Sequence, residues 1–285
     1  MNMMKEIIGT KFATEDNEFT IQYLYQTGHI SMFKPHAHPT YEMYYVLNGG
    51  RVFFINGTVY TAKKGDMIFV YPNDIHRTTS SEALKCERIL VNFSESFLSL
   101  ELSRCAVPLL IGSCDTPLLH FPVDMQAIVE ELLQKMLREC ETQQVAYETS
   151  VRALLIELLI HMHRLGSKGS LKQMMSTHPM HQKMTEISAY LNEHFQDNIS
   201  LQEISKRFYI SPSYLSRTFK KVTGFQFKEY VQTVRLREAK RLLRESKDPI
   251  STIAAKTGYE HAANFNVIFK KITGVTPSYY RKSSR

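Results

Sequence analysis

The chain has 285 residues, with 35 Lys and Arg against 28 Asp and Glu for a net charge of +7, and this length is enough for two independent cores. The charge is divided: residues 182–285 hold 19 Lys and Arg against 9 Asp and Glu, while residues 1–181 hold 16 against 19, so the basic third is the part suited to a polyanion. No uncharged run of about 18 apolar residues occurs, which argues against a helical membrane span and predicts a cytoplasmic protein.

Cys86, Cys105, Cys114 and Cys140 show no C-x-x-C spacing and no disulfide framework, as expected in a reducing compartment. Residues 1–20 are mixed and read as an arm or lead-in strand. From Phe19 to Phe93, short apolar segments (Tyr41–Leu47, Val52–Ile55, Met67–Tyr71 and Ile89–Phe93) alternate with turn signals. Asn56-Gly57, between Phe53-Phe54-Ile55 and Thr58-Val59-Tyr60, is a hairpin signal because its turn needs positive φ at both central residues. Lys64-Gly65-Asp66 and Pro72-Asn73-Asp74 mark further turns. Many short strands with close turns predict a small β-barrel or jelly roll over residues 1–122.

Within this region His36, His38 and Glu42 have the spacing H-x-H-x-x-x-E, and Gly65 and Pro72 precede His76. This resembles the two motifs of the cupin fold, whose metal-binding members use three histidines and a glutamate. The resemblance puts His36, His38, Glu42 and His76 in that role. Asp74 stands where that pattern has glycine, and no Asn follows His76 in register, so the second motif departs from the enzymes. Strand alternation predicts that His36, His38, Glu42, Tyr44 and Val46 share the inward face, with Pro39 as an interruption.

Three readings of the cluster compete. Imidazoles and a carboxylate suit a divalent ion such as Zn, Fe or Ni. The same groups, with Tyr44, make a polar pocket wall that hydrogen-bonds a small effector. Alternatively, the histidines and Glu42 only satisfy one another. Tyr23, Tyr25, Tyr44, Tyr45 and Tyr71 lean toward a pocket, since phenols both stack and hydrogen-bond.

Pro108, Pro117 and Pro122 keep residues 94–122 irregular. Ile128, Leu132, Leu133, Met136 and Leu137 predict a helix over Met125–Cys140, and Val151, Leu154, Leu155, Leu158, Leu159 and Met162 a second over Val145–Leu165. The second is apolar around much of its girth, so residues 123–165 need cover from the barrel and from either a partner subunit or further internal packing. Residues 166–181 are rich in Gly, Ser, Lys and Thr and read as a linker.

Residues 182–285 read as all-α. Met184–Phe195 is the first helix, and Asn198–Ser200 caps the next. Leu201, Ile204, Ser205 and Phe208 mark a short helix, followed by a second over Pro212–Val222. Leu215, Phe219, Lys220, Lys221, Thr223 and Gly224 recur fifty positions on as Phe265, Phe269, Lys270, Lys271, Thr273 and Gly274. Gly274 ends the last helix, and Pro277 is read as a stop. Each copy is two helices with a tight turn, the second helix basic, which is a helix-turn-helix unit. A helix over Phe227–Arg244 joins them.

This tandem pair, with FKKITGVTPSYYR near its end, resembles the DNA-binding domain of the AraC/XylS family of transcriptional regulators. The resemblance implies double-stranded DNA as a partner, a homodimer through residues 123–165, contact with RNA polymerase and activation of transcription. It also implies a small-molecule effector, such as a sugar, in the barrel.

Inward Leu215, Phe219 and Val222 leave Ser213, Ser216, Arg217 and Lys220 facing outward. Arg217 has the fork that matches guanine O6 and N7, while Lys220 and Lys221 suit phosphate. In the second unit Phe265, Phe269 and Ile272 are the expected inward face, leaving His261, Ala263, Asn264 and Asn266 exposed and Lys270 and Lys271 basic beside them. Asn264 and Asn266 read adenine or position the backbone; Val267 stands where the family commonly has arginine. The expectation is a regulator rather than an enzyme, with no required cofactor. One alternative is a metal-dependent cupin enzyme fused to a DNA-binding domain. Another is a DNA-binding protein with a vestigial barrel.

Overall fold

A computed structural model describes residues 6–30, 32, 34–104, 110, 116–167 and 178–283. Two compact units divide the chain, Met1–Gln182 and Lys183–Arg285.

The first unit is built on β1 (Glu6–Ala13), β2 (Phe19–Thr27), β3 (Tyr41–Ile55), β4 (Thr58–Lys63), β5 (Asp66–Val70), β6 (His76–Ser80), β7 (Lys85–Phe93) and β8 (Leu118–His120). All pairings are antiparallel in the order β1-β2-β7-β3-β5-β8, with β4 and β6 paired to β3 off this path. The two apolar segments expected at Tyr41–Leu47 and Val52–Ile55 are one strand of 15 residues. Its first half pairs with β5 and β7, and its second half with β4 and β6. The bend between them coincides with a bulge at Val46/Asn48 and with Gly49 at φ +77°. A Cβ on Gly49 would lie 2.0 Å from the Lys85 carbonyl oxygen, so only glycine lets the strand turn this corner.

Alternation along β3 separates two cores. Tyr41, Met43 and Tyr45 face outward with Val129, Leu132, Leu133 and Met136 of α2 (Val123–Thr142) and Leu155, Leu158, Leu159 and Met162 of α3 (Tyr147–Ser167). Tyr44, Val46, Phe53 and Ile55 face the interior with Tyr60, Ile68, Val70 and Cys86. Each such side chain contributes about 1.5–3 kcal/mol on burial, so the sheet is held on both faces. Part of the stretch expected to be irregular is helical: a 3₁₀ turn at Ser96–Leu98 leads into α1 (Ser99–Ser103). Most of the expected linker, residues 168–177, lies outside the described residues, as do Cys105 and Cys114. Cys86 and Cys140 are buried free thiols.

The second unit is helical: α4 (Pro179–Glu193), α5 (Leu201–Arg207), α6 (Pro212–Thr223), α7 (Phe227–Glu245), α8 (Ile250–Lys256), α9 (Ala262–Thr273) and α10 (Pro277–Ser283). Ser200 starts α5 with a capping box, accepting from the Glu203 N–H at 3.2 Å while the Glu203 carboxylate accepts from the Ser200 N–H at 2.8 Å. Ser211 caps α6 ahead of Pro212. The two repeats close alike. Thr223 and Thr273 each donate to a phenylalanine carbonyl four residues back, at 2.7 Å, and Gly224 and Gly274 follow at φ +83° and +80°. The first half of α7 packs Tyr230 on Phe219, and its second half puts Leu236, Ala239 and Leu243 against Phe265 and Phe269. As expected, Gly274 caps α9 and Pro277 does not continue it; Pro277 is instead the first residue of α10, where its missing N–H costs nothing.

Candidate functional site

Histidines from three places converge at one rim of the barrel. His36 and His38 precede β3 rather than lying on it, so strand alternation does not bring them in. Instead His36 forms an isolated bridge with His76, each N–H donating to the other's carbonyl at 3.0 Å. The ligand-capable nitrogens of His36, His38 and His76 lie within 4.8 Å of one another. His38 Nε2 and His76 Nε2 stand 3.3 and 3.9 Å from the same oxygen, Oε2 of Glu42.

The outer nitrogen of His76 fixes its tautomer. His76 Nδ1 lies 2.9 Å from the Asp74 carbonyl, and His38 Nδ1 lies 3.0 Å from the Thr40 carbonyl. The Asp74 carbonyl only accepts, so His76 Nδ1 carries hydrogen and a neutral His76 ring keeps its lone pair on Nε2, whereas His38 Nδ1 also lies 2.9 Å from Thr40 Oγ1, a hydroxyl that can donate to it. His76 Nε2 is buried and has no hydrogen-bond partner. His38 Nε2 faces a carboxylate oxygen, a contact that needs a proton or a cation between the two. The Glu42 hydrogen bond accordingly pushes His38 above the usual imidazole range. Burial, with His76 beside it, pushes His36 below that range. Asp74, which departs from the cupin pattern, holds the turn: its carboxylate accepts from Asn56 Nδ2 and from the Tyr71 N–H.

Tyr44 is not brought to this cluster. Its ring packs edge-on against Phe53, its hydroxyl lies 3.5 Å from Cys86 Sγ, and the Arg88 guanidinium sits 4.9 Å above the ring. Arg51 and Arg88, both buried in the interior, are residues the sequence reading passed over.

On α6, Ser213, Ser216, Arg217, Lys220 and Lys221 are exposed while Leu215, Phe219 and Val222 are buried. On α9, Asn264, Asn266, Lys270 and Lys271 are exposed, and His261 is the exposed N-cap. Ile272 is not inward as expected. It is 55% exposed, because the core against α7 is filled by Phe265 and Phe269. Val267 is 66% exposed in the middle of this same surface. Arg235 of α7 donates through Nε to the Phe195 carbonyl at 2.7 Å and through Nη2 to the Asp197 carbonyl at 2.9 Å. It thereby ties the loop before α5 to the turn of the second repeat, where its guanidinium lies 5.5 Å from the Tyr259 ring.

The model of the AraC-like ligand binding domain matches residues 19–159, and that of a helix-turn-helix domain matches residues 204–283. The chain belongs to the AraC/XylS family of transcriptional regulators. It is 25% identical over 256 residues to the HTH-type transcriptional activator RhaS of Escherichia fergusonii, covering 88% of each chain. It is also 25% identical to the HTH-type transcriptional activator RhaR of Pectobacterium carotovorum subsp. carotovorum, covering 98% of each. A solved structure of ToxT from Vibrio cholerae is 16% identical, covers 93% of this chain and 98% of that one, and has a TM-score of 0.38. As an AraC/XylS member the chain pairs a ligand-binding domain with a DNA-binding helix-turn-helix domain, and these named relatives are regulators, not enzymes. Among the described residues, no helix is long and apolar enough to cross a membrane.

Proposed function

We propose that the protein is a cytoplasmic, sequence-specific activator of transcription, switched by a small molecule bound in its N-terminal barrel at His36, His38, Glu42 and His76. The observation that carries this reading is the convergence of two imidazole Nε2 atoms on one carboxylate oxygen, with His76 Nε2 buried and unpartnered. Lone pairs and a carboxylate accept hydrogen bonds, so the matching ligand offers hydroxyl donors, as a sugar does.

On the DNA side, Arg217 reads guanine with Ser213 and Ser216 adding contacts, and His261, Asn264 and Asn266 face bases of the second sub-site, the asparagines adenine. Lys220, Lys221, Lys270 and Lys271 neutralise phosphates. A homodimer through residues 123–165 belongs to this reading, and RNA polymerase is the partner through which activation proceeds. The effector acts by binding one domain arrangement more tightly than the other, which shifts their populations.

A second reading rests on the same donors. Three imidazoles and one carboxylate, two of the rings anchored through Nδ1 by backbone carbonyls, fit a divalent ion such as zinc. His36, His38, His76 and Glu42 would hold it, and it would supply a Lewis-acidic anchor for an effector hydroxyl.

Thermal unfolding of the full chain against a sugar panel, and against zinc with and without chelator, separates the two. A sugar response lost in His76→Ala supports the first reading, and a chelator-reversed zinc response the second. No response to either in a folded wild-type chain contradicts both.

A further inference from the structure

Among the described residues, the far interior of the barrel contains two cations with no carboxylate counter-charge. Arg51 on β3 and Arg88 on β7 are 3% and 7% exposed. Alternation puts Arg51 on the face of Phe53 and Ile55, and Arg88 on that of Cys86, all members of the interior core, and of Leu90, which packs against it. Arg51 Nη2 donates to Thr78 Oγ1 at 3.2 Å, Arg88 Nη1 donates to Gln26 Oε1 at 2.5 Å, and the Nε of each is buried without a partner. Among the described residues neither guanidinium forms an ion pair with a carboxylate. The groups acting electrostatically on Arg51 are Tyr44, Cys86 and the like-charged Arg88.

Fully buried arginines are rarely found unless paired, because one neutral hydrogen bond does not repay the lost hydration of a guanidinium. Two of them within Coulombic reach raise that cost further. A shallow crevice lined by Gln26, Gly28, Gly50 and Ser80 reaches Arg51, and exposed Lys85 at its lip adds a third cation.

We infer that Arg51 and Arg88 form an oxyanion anchor, and that the effector of this barrel carries a carboxylate or a phosphate. Planar guanidinium forks match the paired oxygens of these groups, and both unpartnered Nε–H donors become satisfied. This inference rests on the reading of the barrel as an effector domain and narrows it: a neutral sugar leaves the arginine pair uncompensated, whereas a sugar acid or sugar phosphate does not.

The test is thermal unfolding of the full chain in inorganic phosphate, succinate, gluconate and glucose 6-phosphate. Sodium chloride at matched ionic strength and glucose serve as controls. Wild type, Arg51→Met, Arg88→Met and Arg51→Lys are compared, the last two guarding against a single variant that fails to fold. At least one anion should raise the wild-type Tm saturably, by roughly 5–10 °C at a hundred times its dissociation constant. Both methionine variants should lose the rise, and their anion-free Tm should equal or exceed that of wild type, since an unpaired buried cation has been removed. Phosphate against succinate tells which oxyanion the site takes. Anions no better than matched chloride, or an undiminished response in the methionine variants, would overturn the inference. So would methionine variants that melt lower without anion, which would mark the arginines as structural. Glucose raising the Tm of wild type and variants equally would leave the effector domain standing and remove only the anion anchor.

Discussion

Tyr209 and Gly258 hold the same place in the turns of the two helix-turn-helix repeats, both in the left-handed region, at φ +55° and +81°. Tyr209 is 96% exposed and touches little. A Cβ on Gly258 would instead meet the Gln196 carbonyl at 2.7 Å and Arg235 Cζ at 2.9 Å. The first turn is free at its surface, whereas the second is pressed against the loop that Arg235 anchors. Gly258→Ala should therefore cost about 2–4 kcal/mol, combining backbone strain with a clash against main chain. Tyr209→Gly should be neutral or stabilising by about 1 kcal/mol or less, by relieving the same strain without a clash. Urea unfolding followed by circular dichroism compares the two, and equal costs would contradict this difference between the turns.

Arg235 holds the second repeat in register with the first by two charge-assisted bonds, each worth about 1.5–3 kcal/mol. Arg235→Ala should lower affinity for a duplex carrying both sub-sites by about tenfold or more. Affinity for a duplex carrying only the first sub-site should be unchanged. Fluorescence anisotropy on the two duplexes measures this. A uniform loss on both would mean that Arg235 itself contacts DNA.

The two basic positions differ in kind. Arg217→Ala should relax selectivity at one base pair by about 1–3 kcal/mol, measured with a base-substitution series. Lys270→Ala should weaken all sequences together and reduce the salt slope by about 1. If the patterns are exchanged, the base and phosphate assignments are exchanged too.

In the histidine cluster the Glu42 hydrogen bond raises His38 above its unfolded value. Such a group contributes stability fully below the unfolded pKa, about 6.5, and loses it as pH rises through the folded value. Metal-free wild type should exceed Glu42→Gln in stability most at mildly acid pH, and the gap should close above the His38 titration. Nuclear magnetic resonance of the imidazole protons should show the His38 pKa falling in the variant. A gap that widens with rising pH would contradict the assignment.

The helical unit was legible because its signals are local and occur twice. The Ser200–Glu203 box, Pro212 behind Ser211, and Gly224 and Gly274 each mark a helix end within a few residues. The barrel was less legible because its decisive features are non-local. The bulge that makes Tyr41–Ile55 one bent strand depends on the close approach of Lys85 to Gly49. His36 enters the cluster through a bridge to a residue forty positions away, not through alternation. Nothing local singles out Arg51 and Arg88, since alternation does not say which face of a strand is enclosed.

The central claim, that two helix-turn-helix units read DNA as a pair, is tested most directly by selecting bound duplexes from a random-sequence pool with the full chain. The account predicts an enriched bipartite motif with sub-sites centred about one helical turn, ~10–10.5 base pairs, apart. Its first sub-site should contain a guanine that Arg217→Ala no longer selects. A pool retained by the protein without any enriched sequence, or a single sub-site with no preferred spacing to a second, would contradict it.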